Sequence, residues 1–247
     1  MSNDFRQGAQ FGSVSRTSAE IDQGLRTYML SVYNYMAVGL AITGFVALAT
    51  FQLSFGANGV PTSLGQALYG SPLKWVVMLA PLGMVFFLSA RIHKMSVGTA
   101  QMTFWVFASL MGLSLSSIFM IYTGQSITRV FFITAATFGG LSLYGYTTKK
   151  DLSGMGSFLM MGLIGIIIAS LVNLFLQSSA MQFIISVIGV LVFAGLTAYD
   201  TQQIKEMYFA GDSQESMGRK AIMGALRLYL DFINMFLMLL SLFGNRE

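Results

Sequence analysis

The chain is predicted to be an all-α integral membrane protein with seven transmembrane helices and a cytosolic N-terminus. Three observations carry this. First, 55% of the 247 residues are apolar and about 10% are charged, where a soluble domain carries roughly 25% charged residues. A soluble monomer of this size cannot hide so much apolar surface, and disorder is excluded by the same composition. Second, no charge occurs between Arg26 and Lys74, between Lys94 and Arg129, or between Asp151 and Asp200. A span takes about 20 apolar residues, so each gap holds one or two. Third, the basic residues alternate from loop to loop.

Residues 1–27 are polar and read as a disordered cytosolic tail, and residues 28–247 as the transmembrane domain. The apolar run from Tyr28 is too long for a signal-peptide core. Spans are expected at 28–51, 73–91, 99–122, 128–147, 155–176, 181–203 and 221–243. Gly56, Asn58, Gly59, Pro61, Ser63, Gly65 and Pro72 punctuate the first connection. Gly124 to Ser126, Ser153 to Gly156 and Gln177 to Ser179 punctuate later ones. Pro81 falls inside the second span, where it should kink the helix.

With these spans, ten basic residues fall on one side: Arg6, Arg16 and Arg26 in the tail, then Arg91 and Lys94, Lys149 and Lys150, and Lys205, Arg219 and Lys220. Lys74, Arg129 and Arg246 fall on the other, and Arg227 lies within the last span. Excess Lys and Arg mark the cytosolic side, which puts the N-terminus inside and the C-terminus outside. A last segment that dips in and returns is the alternative, because it contains Arg227 and Asp231.

The same basic loops account for a net charge of +4 without nucleic acid as a partner. Cysteine is absent and His93 is the only histidine, which excludes thiolate metal sites and disulfides. Eighteen methionines form no clear Met-x-x-Met array and read as flexible apolar filler rather than copper ligands. The glycines spread through the spans read as close helix contacts.

An ionisable group at membrane depth is expensive and marks a functional site by default. Asp200 ends a 48-residue uncharged stretch, and Asp231 lies about halfway along the last span. The sixth span runs inward and the seventh outward. Asp231, roughly 15 Å from the inner end, and Asp200 therefore share the inner half on consecutive helices. Arg91, at the inner end of the second span, is at comparable depth. Asn234 shares the face of Asp231. Two plainer roles remain open: Asp200 as a helix-end carboxylate at the headgroups, and Asp231 as an intrahelical partner of Arg227 four residues away.

The segments TAYDTQQIK around Asp200 and LYLDFINMF around Asp231, with Lys149-Lys150-Asp151-Leu152, resemble the transmembrane Bax inhibitor motif family, bacterial branch. The resemblance covers about residues 28–243 in order and spacing. It implies seven helices with the last buried centrally, and a pH-sensitive calcium leak. In that family an aspartate pair senses protons and an arginine of the second span latches one of them. Carried over, the pair is Asp200 and Asp231, with calcium as a passing or weakly bound ion, and Arg91 is the latch candidate; the sequence here reads Arg91-Ile92-His93-Lys94. No resident cofactor is implied, and the setting is a bacterial inner membrane.

The chemistry of such a sensor stands on its own terms. Two carboxyls in one low-dielectric site cannot both ionise cheaply. In acid they share a proton and hold two helices together. In alkali both charge, repel, and form an all-oxygen site suited to Ca²⁺. The rival readings are a non-transporting regulator that binds another membrane protein, such as a protease, and an intramembrane aspartyl protease. The protease needs Gly-x-Gly-Asp at the second acid, where this chain has Tyr229-Leu230-Asp231, and a Pro-Ala-Leu segment, although no proline follows Pro81. The chain is therefore expected not to be an enzyme.

Overall fold

In the computed structural model, residues 18–56 and 59–246 are described. Eight α-helices are described: α1 Ser18–Ser54, α2 Ser63–Gly70, α3 Leu73–Arg91, α4 Val97–Leu115, α5 Gly124–Thr147, α6 Ser153–Leu176, α7 Ser179–Glu206 and α8 Gln214–Phe243. Among the described residues, seven of them are long and apolar enough to cross a membrane, all but α2. The protein is thus a multi-pass membrane protein. Most of the expected tail, residues 1–17, lies outside the described residues.

Two differences from the sequence reading have local causes. First, α1 begins at Ser18, ten residues before the expected span, because nothing in Ser18–Thr27 breaks a helix and Glu20 suits its positive end. Second, the first connection contains α2, whose N-terminus is capped by the Thr62 hydroxyl accepting from Gly65 N at 3.2 Å. Read as loop punctuation, Ser63 and Gly65 in fact lie in a helix. As expected of a seventh span, α8 is one continuous helix of 30 residues, roughly 45 Å long, and the alternative of a last segment that turns back is not seen. Pro81 lies buried within α3, which continues through it.

Polar residues before the spans do the capping. The hydroxyls of Ser96, Thr123, Ser178 and Ser213 each accept from the backbone N–H three residues on, at 3.2–3.3 Å. Gln177 closes α6 in the left-handed conformation, at φ 50°, a helix ending open to few non-glycine residues.

The last helix is the axis of the bundle. It packs against α7, α1, α5 and α4, and 56% of its apolar window is buried against 17–39% in the other spans. On it, Tyr229 donates to or accepts from the Thr43 hydroxyl at 2.6 Å, with Phe104 and Phe107 of α4 edge-on to its ring. Large apolar residues such as Phe45, Phe132 and Phe175 are exposed on the outer helices, where acyl chains would solvate them. Glycine permits the closest approach: a Cβ on Gly145 of α5 would collide with the Ala198 carbonyl of α7.

Successive spans alternate in direction. The start of α1, the ends of α3, α5 and α7 and the starts of α4, α6 and α8 therefore share one end, the basic end. At the opposite end the C-terminal residues bind the α4–α5 connection, with Thr123 N donating to Asn245 O and Asn245 N to Ser126 Oγ.

Candidate functional site

The segment TAYDTQQIK is the hub of the basic half, because each residue of the α7 turn meets a different neighbour. Ala198 lies against Gly145 of α5, and Tyr199 against Gly156 of α6. The Thr201 hydroxyl meets Ser142 Oγ of α5 at 2.9 Å, and Ser142 meets the Tyr33 hydroxyl of α1 at 2.7 Å. Gln202 is buried and grips the α5–α6 connection at both ends of its amide. Its Nε2 donates to Lys150 O and its Oε1 accepts from Leu152 N, each at 2.8 Å. The Lys149–Leu152 and Asp200 segments, noted separately in the sequence, are thus physically joined. Between them Asp151 accepts from Ser153 N at 2.8 Å. The side chain of Ser153 and then its backbone N–H, at the start of α6, hold the Asp151 carboxyl below the usual carboxylate range.

Asp200 is left to face α8. The contacts of Ile204 with Gly224 and of Gly189 with Met238 set the antiparallel register of α7 and α8, as does the Lys220 Nζ hydrogen bond to Met207 O at 2.9 Å. In that register Asp200 lies about one turn nearer the basic end than Asp231. Side chains lean toward the N-terminus of their own helix. On antiparallel helices, Asp200 leans away from the basic end and Asp231 leans toward it, and the carboxyls meet within hydrogen-bonding reach. Asp231 is 5% exposed and Asp200 half-buried. Asp231 Oδ2 is buried without a hydrogen-bond donor.

The charge acting on both acids is Arg227, one turn before Asp231 on α8. Among the described residues it forms no ion pair within 4 Å; such pairs there are Arg219–Glu215 and Lys220–Asp212. Arg91, the latch candidate, is exposed at the end of α3 and is not brought to the pair. The cause is positional: α3 packs on α4 and α2, at the rim of the bundle. Asn234 donates to Leu230 O of its own helix at 2.8 Å, so its amide turns to the backbone rather than to the acids. Among the described residues no group of three or more His, Asp or Glu side chains could hold a metal.

Sequence reasoning did not find the Gln202 clamp or the Tyr33–Ser142–Thr201 hydroxyl chain. Neutral polar residues in a span carry no spacing signal, and only the fold brings these partners together.

Fold and site together define a polytopic α-helical membrane protein whose central helix carries a buried acid against a second acid. The family model described as inhibitor of apoptosis-promoting Bax1 matches residues 25–247, and the chain belongs to that family. It is 49% identical to the inner membrane protein YbhL of Escherichia coli K12, over 91% of this chain and 94% of that one. It is 49% identical to an uncharacterised protein of Rickettsia prowazekii, over 92% of each. An uncharacterised membrane protein of Streptococcus pyogenes is 34% identical, over 92% of this chain and 96% of its own.

Proposed function

We propose that the protein is a pH-sensitive calcium leak of the bacterial inner membrane, gated by Asp200 and Asp231. The observation that carries this reading is the buried Asp231 Oδ2, which lacks a donor while the Asp200 carboxyl faces it. A carboxyl–carboxyl contact is attractive when one proton lies between the two and repulsive when none does. The proton thus links α7 to α8 in acid. Loss of it places two like charges in a low-dielectric contact and pushes the helices apart. Arg227 favours the doubly ionised state, because its charge acts on both acids.

Calcium is read as cargo. Two carboxylates offer at most four oxygens, short of the six to eight that Ca²⁺ takes, so a passing ion keeps part of its water. Tyr229-Leu230 before Asp231 speaks for a channel over an aspartyl protease. The basic end is read as cytosolic by the excess of Lys and Arg there.

Purified protein in liposomes should pass Ca²⁺ slowly at acidic pH and faster as pH rises from about 6 to 8. Absence of Ca²⁺ flux at every pH would refute the channel reading.

A further inference from the structure

A crevice of about 250 Å³ opens at the basic end between the end of α3 and the first turns of α8. It exists because α3 packs on α4 and α2, away from the axial helix. One face of α8 lines it with Ser216, Lys220, Met223 and Arg227, whose spacing of four, three and four is that of a single helical stripe. Arg219 joins from the same helix, and Ser89 and His93 form the opposite wall. Among the described residues no acid lines it.

Lys220 and Arg219 are held in place with donors to spare. Lys220 Nζ binds Asp212 Oδ2 at 2.6 Å and Met207 O at 2.9 Å, which leaves one of its three N–H bonds free. Arg219 uses only Nη1, toward Met95 O at 3.2 Å and Glu215 at 3.5 Å. Neither Asp212 nor Glu215 enters the crevice lining. Arg227 is exposed there without a hydrogen bond or close ion pair among the described residues. A guanidinium fork and an ammonium on one wall suit a tetrahedral oxyanion. A volume of about 250 Å³ has room for a headgroup-sized ion.

We propose that this crevice between the end of α3 and α8 binds a phosphate-bearing anion, seated among Arg227, Lys220 and Arg219. Basic pockets between spans on the cytosolic side are suited to anionic headgroups, and free phosphate offers the same chemistry. The site does not require that the protein conduct ions. A bound anion would share Arg227 with the Asp200–Asp231 pair.

The test is thermal unfolding of purified protein in non-ionic detergent, titrated with short-chain phosphatidylglycerol, the matching phosphatidylcholine, or inorganic phosphate. A ligand that binds the folded state raises Tm in step with the logarithm of its concentration once that exceeds Kd. The expected result is a concentration-dependent rise with phosphatidylglycerol, weaker at high salt, and none with phosphatidylcholine. A rise with phosphate as well identifies the phosphoryl group as sufficient, and a rise with phosphate alone identifies free phosphate as the ligand. Ser89→Glu places an acid in the crevice without breaking any described contact and should weaken binding at least tenfold, whereas Ser89→Gln should not. His93→Glu, in the turn beyond α3, serves the same purpose should Ser89→Glu fold poorly. No rise with either anion, an equal rise with phosphatidylcholine, or equal effects of Ser89→Glu and Ser89→Gln would overturn the proposal.

Discussion

Arg227 and Asp231 stand one turn apart on α8, on the spacing that favours an intrahelical ion pair, yet no N–O contact within 4 Å joins them. The acid is buried against α7 while the arginine is exposed in the crevice beside α3. The pairing that would have made Asp231 a purely structural residue is thus not formed. The nearest chemical partner of Asp231 is the other acid.

The distance of Arg227 from the acids still permits a long-range effect, and its sign is definite. A nearby cation favours the ionised form of a carboxyl. Arg227→Gln should therefore move the rise of flux to higher pH. Arg91→Ala should leave the profile in place, because Arg91 is not near the pair. A raised leak in Arg91→Ala would assign Arg91 a latch contact made in another conformation. Flux against pH for the two variants separates these outcomes.

Asp151 is an internal control. Its contact with Ser153 lowers its pKa, so its contribution to stability is present above the ordinary carboxylate value of about 3.9. That contribution is lost only as pH falls through the lowered folded-state value. Asp151→Asn should leave flux between pH 6 and 8 unchanged in shape. A flattened profile would place the sensor in the α5–α6 connection instead.

The Gln202 clamp should contribute measurably to stability. Gln202→Leu leaves the buried Leu152 N without a partner, at about 1–3 kcal/mol, and removes the amide donor to Lys150 O. Thermal unfolding in detergent should show a clear loss of Tm. An unchanged Tm would mean that water replaces the amide at both atoms.

Close contact at Gly145 gives a further measurement. Gly145→Ala forces a methyl into the Ala198 backbone and should cost about 1–3 kcal/mol. Gly140→Ala meets nothing within 4 Å and should be neutral or stabilising. Equal stability of the two variants would show that α5 and α7 do not approach as closely as described.

Much of this fold was legible because a bilayer imposes long apolar runs and penalises charge, so gaps between Arg26, Lys74, Lys94, Arg129, Asp151 and Asp200 outline the spans. The two acids were legible for the same reason. What was not legible depends on side chains that membrane depth does not mark. Thr62 reads equally well as a loop residue or a helix cap, and α2 was missed. Arg91 and Arg227 are equivalent by charge and approximate depth, and only the packing of α3 on the rim and α8 on the axis separates them. Gln202 meets Lys150 and Leu152 across 50 positions or more, a pairing without local trace.

The coupled pair is the centre of the proposed mechanism, and Ca²⁺ flux into proteoliposomes from pH 6 to 8 for wild type, Asp200→Asn, Asp231→Asn and the double variant tests it most directly. Each single variant removes one titrating partner while keeping shape, so each should flatten the profile. The double variant should add nothing further, because groups acting as a unit are non-additive. A wild-type pH profile in either single variant, or small additive effects in the two, would contradict the shared-proton mechanism.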